Sequence, residues 1–123
     1  LRLEYGGFSA LFTGDLEEEG EEWMVQRYGS ALESTVLDAG HHGSGNATKD
    51  GFLDAVKPKA VLISCGKDNS YGHPAKEMIA RVEKRRIPWY VTARDGALTV
   101  RVSRNGERFF IVPFTERRQG KEP

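Results

Sequence analysis

The sequence predicts an α/β (or α+β) fold, a mixed sheet with helices packed on one face, and three observations carry that prediction. Short apolar runs of strand length alternate with segments of helical period as far as about residue 93. Glycine or proline marks most junctions between them. The chain then closes on two β-branched and aromatic runs separated by the turn signal Asn105-Gly106. The order β-β-α-β-α-β-α-β-β-β that results calls for a sheet whose apolar face is covered by helices.

Each element has a local reason. "LRLEY" and "FSALFT", parted by Gly6 and Gly7, read as a β-hairpin. After Asp15, "LEEEGEEWMVQRY" carries Leu16, Trp23, Met24 and Tyr28 near helical spacing, with acids in its first turn where they complement the helix dipole; Gly29 ends it. "STVLDAG" is a strand, "TKDGFLDAV" a short helix with Thr48 as the expected N-cap, and "KAVLISCG" a buried strand that includes Cys65 as a small hydrophobe. Pro74 suits the first turn of "PAKEMIARVEKRR", whose Ala75, Met78, Ile79 and Val82 make one apolar stripe. "PWYVTA", "ALTVRVS" and "RFFIVPF" follow as strands, the first two joined through Arg94-Asp95-Gly96.

Composition sets the limits. With 123 residues, 38% of them hydrophobic and 29% charged, the chain suits one soluble domain without disulfide staples. Its apolar runs fall far short of the roughly 20 residues a membrane-spanning helix needs. Charge is balanced overall but uneven: residues 1–23 hold seven acids against one base, and residues 81–123 eleven bases against five acids. The second half is thus a candidate for facing a polyanion, against the plainer reading of "RVEKRR" as a solvated helix face and of residues 115–123 as a charged, disordered tail. Residues 1–114 are expected to form the folded unit. Leu1 in place of methionine, and an opening run that already reads as strand, lead to the expectation of a piece cut from a longer protein.

The polar residues fall into a pattern on this frame. Asp15 in "FTGD", His41 and His42 in "AGHHGS", and His73 in "NSYGHP" each follow the C-terminal end of an expected strand, after a glycine or after the other histidine. These are all the histidines of the chain. If the strands are neighbours, one carboxylate and two or three imidazoles share a rim, a ligand set for divalent zinc, manganese or iron and hence for hydrolytic chemistry. The duller readings are an Asp15 that caps the following helix and histidines that bond loop carbonyls. Ser44 in "GHHGSG" lacks the strand-elbow-helix context of a hydroxyl nucleophile, and Cys65 has no histidine beside it.

The segments "LFTGDLEEEGE", "VLDAGHHGSGNAT", "FLDAVKPKAVLISCGKDNSYGHP" and "RDGALTV" resemble, in order and from about Phe8 to Val102, the metallo-β-lactamase-like domain of the ComEC family of bacterial competence proteins. The resemblance implies half of an αβ/βα sandwich with a metal site at one edge of two packed sheets. It implies Asp15 as a metal-bridging carboxylate and His41 or His42, about 26 residues further on, as the histidine that completes the second metal position. The other histidine of the pair is left to contact a substrate phosphate. Ser44, Asn69 and His73 are implied to line the pocket, with His73 and His42 as catalytic groups. The activity implied for the intact domain is two-metal hydrolysis of phosphodiester bonds of DNA, single-stranded or duplex, in DNA uptake. Its host is expected to be a larger, membrane-embedded bacterial protein.

Two departures qualify what carries over. The histidine-rich ligand motif expected before "TGD" does not occur. The chain is therefore expected to hold at most one ion weakly, to be inactive alone, and to cover its exposed surface by dimerising. "TARDGA" stands where relatives tend to have "TD" before the glycine. The alternatives are a catalytically silent DNA-binding or scaffold module, and a stand-alone hydrolase of small phosphodiesters.

Overall fold

The structure is a computed structural model that describes residues 1–115. The expected charged tail lies outside the described residues except for Thr115. Strands β1 (Arg2–Tyr5) and β2 (Phe8–Phe12) form the hairpin, followed by α1 (Glu18–Tyr28), β3 (Val36–Asp38), α2 (Asp50–Val56), β4 (Ala60–Ile63), α3 (Lys76–Lys84) and β5 (Trp89–Val91). A one-turn helix, α4 (Thr92–Asp95), leads to β6 (Leu98–Val102) and β7 (Phe109–Pro113). The α/β fold expected from the sequence is the one observed.

One sheet takes the order β1-β2-β3-β4-β5, antiparallel at β1 and parallel elsewhere; β6 and β7 form a separate antiparallel ribbon. Sequential order among parallel strands has a consequence: every crossover steps the same way, and crossovers of one hand then put all their helices on one face. Alternate residues of each strand accordingly go to two different cores. Leu11, Leu37, Val61, Ile63 and Val91 pack with Phe52, Leu53 and Val56 of α2 and Met78 and Val82 of α3. Their neighbours Phe8, Ala10, Val36 and Ala60 face Val100, Val102, Phe109 and Ile111 of the ribbon.

Five local expectations need correction. The buried residue of α1 is Glu21, while Trp23 and Tyr28 of the expected apolar stripe are exposed. Thr48 does not cap α2: its φ is +55°, and the amides of Thr48 and Lys49 instead donate to the Glu21 carboxylate at 2.6 and 2.9 Å. A carboxylate that holds the entry to α2 from 27 residues upstream leaves no local signal. Pro74 precedes α3, whose N-cap is Ala75. Cys65 lies beyond the end of β4 and is only partly buried. Of the four bases of "RVEKRR", Lys84 and Arg86 are exposed, but the other two are engaged with the protein. Arg81 donates to the carbonyls of Gly45, Ala47 and Thr48, and Arg85 pairs with Asp50 and Asp54.

Candidate active site

Parallel strands send all their C-terminal ends to one edge, and there the loops after β2, β3 and β4 meet. A cleft of about 380 Å³ opens at that edge, lined by Asp15 from the first loop and His41 and His42 from the second. Cys65, Asn69, Tyr71 and His73 line it from the third. The residues singled out from the sequence are thus brought together, with one exception. Ser44 is buried beneath the loop, where its hydroxyl accepts from the Asn46 amide at 3.2 Å, and it does not line the cleft.

The histidine pair sits on strained backbone. His41 and His42 have φ of +46° and +58°, consecutive left-handed residues that each cost an L-amino acid about 1–2 kcal/mol. The loop is held in this shape by the bond from the His41 amide to the Gly14 carbonyl (2.8 Å), which ties it to the Asp15 loop. Gly40 permits that approach, since a β-carbon there would lie 2.7 Å from the Leu16 carbonyl oxygen. Arg81 and Glu21 brace the far side of the loop through the backbone groups of residues 45–49. Strain maintained by so many contacts is the kind found at functional sites.

Both imidazoles are anchored in the same sense. The Nδ1 of His42 donates to the Ser64 carbonyl at 2.8 Å, and the Nδ1 of His41 donates to the Glu17 carboxylate at 2.5 Å. A carbonyl or carboxylate oxygen only accepts here, so the proton of each neutral ring is on Nδ1 and Nε2 keeps its lone pair. Histidines that ligate metals are usually held this way by a carboxylate or carbonyl behind them. Glu17 was not legible in the sequence, where it is one of three consecutive glutamates in "LEEE", with nothing to set it apart from Glu18 or Glu19.

Ring centres of His41 and His42 lie 6.1 Å apart, as do those of His41 and His73. Among the described residues, no group of three or more His, Cys, Asp and Glu side chains is drawn closely enough together to enclose an ion. The donor set is chemically suited to a divalent ion but open. Beside it, Asp38 has its carboxyl pushed up from the ordinary 3.8 by burial, opposed by the nearby His42. Burial likewise pushes the Cys65 thiol up, so it is not poised as a thiolate.

Asn69 lines the cleft, but its amide is fully engaged within its own loop. Its Nδ2 donates to the carbonyls of Gly66 (2.9 Å) and His73 (2.7 Å), and its Oδ1 accepts from the amides of Tyr71 (3.2 Å) and His73 (3.0 Å). Two donors and two lone pairs are all that a carboxamide offers. Asn69 therefore lines the cleft, as expected, and also braces the loop by fixing Tyr71 and His73. Tyr71 itself, absent from the sequence-based site, is stacked on His73 with ring centres 5.7 Å apart and planes 30° apart.

No protein-family model matches the chain. Curated proteins do. The chain is 42% identical over 106 residues to competence protein ComA of Neisseria gonorrhoeae, covering 86% of this chain and 15% of that protein. It is 34% identical over 113 residues to ComE operon protein 3 of Bacillus subtilis, covering 92% of the chain and 14% of the relative. Recombination protein 2 of Haemophilus influenzae is 32% identical over 100 residues, 81% of the chain and 12% of that protein. The chain thus spans about one-seventh of the length of these relatives, and it is a homologue of that segment of competence-family proteins.

Proposed function

We propose that the chain forms part of a metal-dependent phosphodiesterase site of the metallo-β-lactamase type, acting on DNA during competence-linked uptake. The observation that carries this reading is the meeting of Asp15, His41, His42 and His73 in one cleft, with both paired imidazoles anchored through Nδ1 and their Nε2 atoms left as acceptors. The names of the relatives support the biological setting.

In this reading Asp15 and His41 hold the ion, zinc or manganese, with His42 alongside. Such an ion supplies Lewis acidity to a phosphoryl oxygen and lowers the pKa of water. The chain's own groups do the rest. Glu17 behind His41 fixes the ring and its orientation, and the Ser64 carbonyl does the same for His42. His73, its backbone clamped on both sides by Asn69, presents an imidazole to the cleft where it can protonate a leaving oxygen. One carboxylate and two imidazoles are too few for a two-ion centre, so this chain alone binds one ion weakly and the remaining ligands come from elsewhere in a complete protein.

Calorimetric titration of the chain with zinc and with manganese tests the proposal. About one equivalent of weak binding is expected, lost in Asp15→Asn and in His41→Ala. Absence of binding, or its persistence in both variants, overturns it. The open ligand set favours one second reading, a DNA-binding module without chemistry, and DNA binding without any ion binding is the result that would establish it.

A further inference from the structure

Tyr71 is 80% exposed, yet it is not a loose surface side chain. One face of its ring lies on His73, and its backbone amide is held by the same Asn69 carboxamide that grips His73 on both sides. The ring is thereby set at the mouth of the cleft, one ring spacing from His73 and two from His41, with the rest of its surface open to solvent. An ordered, solvent-facing aromatic contributes nothing to the core. It is already placed for stacking, so a ligand that uses it loses little conformational freedom in doing so.

We propose that Tyr71 is a nucleobase platform: it stacks the base next to the phosphate that sits over the histidines, and so makes single-stranded nucleic acid the preferred ligand of the cleft. The inference rests on reading the cleft as a nucleic-acid site, and it adds which form of nucleic acid and by what contact. A duplex keeps its base faces covered, whereas a single strand offers one with every nucleotide, and stacking accepts any base because each has a π-face. Phosphates over the imidazoles and a base on the neighbouring ring are the two halves of one nucleotide. The Tyr71 hydroxyl is not required for this.

The test uses the whole 123-residue chain in the presence of a chelator, so that it stands apart from the ion titration. Binding of a short fluorescein-labelled oligothymidylate is measured by anisotropy for wild type, Tyr71→Ala and Tyr71→Phe, beside an abasic deoxyribose-phosphate oligomer of equal charge and a duplex. Tyr71→Ala is expected to weaken oligothymidylate binding by about fivefold to a hundredfold, the range seen when one stacking aromatic is removed, while Tyr71→Phe stays within about twofold. The abasic oligomer is expected to bind both wild type and Tyr71→Ala equally. Ring-proton resonances of Tyr71 shift upfield on addition of oligothymidylate if a base lies on it. Equal affinity of Tyr71→Ala and wild type overturns the proposal and leaves Tyr71 as a contact for another macromolecule; so does an absence of oligothymidylate binding by wild type, or an equal loss with the abasic oligomer. Because no ion is present, any of these can fail while the ion titration succeeds, and the reverse.

Discussion

Glu21 shows how much a single side chain can decide. It is 1% exposed on a helix whose other acids are solvated, and two backbone amides are its partners. Burial pushes its carboxyl up from 4.5, opposed by the Lys49 and Thr48 amides and by Arg81. Replacing it by Gln removes one acceptor and points an NH₂ at a backbone donor, so Glu21→Gln is expected to lose about 1–3 kcal/mol of stability, read from urea unfolding. Asp95 behaves in the opposite sense. Burial raises its carboxyl, but the Arg94 guanidinium and the Val91 amide outweigh this and hold it below 3.8. Its contribution is therefore complete above 3.8 and lost as the pH falls through the lowered folded value. Asp95→Asn should cost about 1–3 kcal/mol at neutral pH, and the gap to wild type should narrow below pH 3.8. Neither role could be read from the residue types. A glutamate in "LEEEGEEW" and an aspartate in "RDG" look like solvated acids until a partner distant in the chain or a folded turn is in place.

At the scale of elements, the site is a property of three loops whose spacing depends on small residues and braces. Gly40 lies where the histidine loop crosses the Asp15 loop, and a methyl group there meets the Leu16 carbonyl at 2.7 Å, an atom of the backbone that cannot swing away. Gly40→Ala is expected to push the loops apart and weaken ion binding by at least about tenfold with the fold retained, checked by the same calorimetric titration and by circular dichroism. Asn69→Ala removes four hydrogen bonds from the 66–73 loop without touching the cores. The amides of Tyr71 and His73 should then exchange with deuterium at least about tenfold faster, since each lost bond is worth about 0.5–1.5 kcal/mol locally. Unchanged exchange would show that something other than Asn69 orders this loop. The motifs "TGD", "HHGS" and "N-x-YGHP" were legible because turns and strand ends have local chemistry. What Asn69 does was not, because its four partners become neighbours only after the loop closes.

For the molecule as a whole, two hairpins lock together where the sheet and the ribbon meet. A β-carbon on Gly106, at φ +76°, would lie 2.2 Å from the Tyr5 carbonyl oxygen and 2.5 Å from the Gly7 nitrogen, and the Gly7 amide donates to the Asn105 carbonyl across the same crossing. Gly106→Ala should therefore cost at least about 1–3 kcal/mol and loosen the packing of Phe8 against Phe109, seen as a lower midpoint of thermal unfolding. Among the described residues no helix is long and apolar enough to cross a membrane, as the sequence led one to expect. The division of the strands between two cores came from the structure, whereas by itself the sequence determined the succession of strands and helices and the placing of Asp15, His41, His42 and His73 in loops that follow strands. These are written in periods of a few residues and in turn chemistry, which depend on near neighbours. Only the tertiary structure decided that Glu17 stands behind His41, that Glu21 holds the backbone entering a helix 27 residues away, that Asn69 braces its loop and that Tyr71 stands open at the cleft. The glutamate contacts join segments 24 to 28 residues apart and exist only once parallel pairing has brought them together, whereas those of Asn69 and Tyr71 exist only once their own loop has closed.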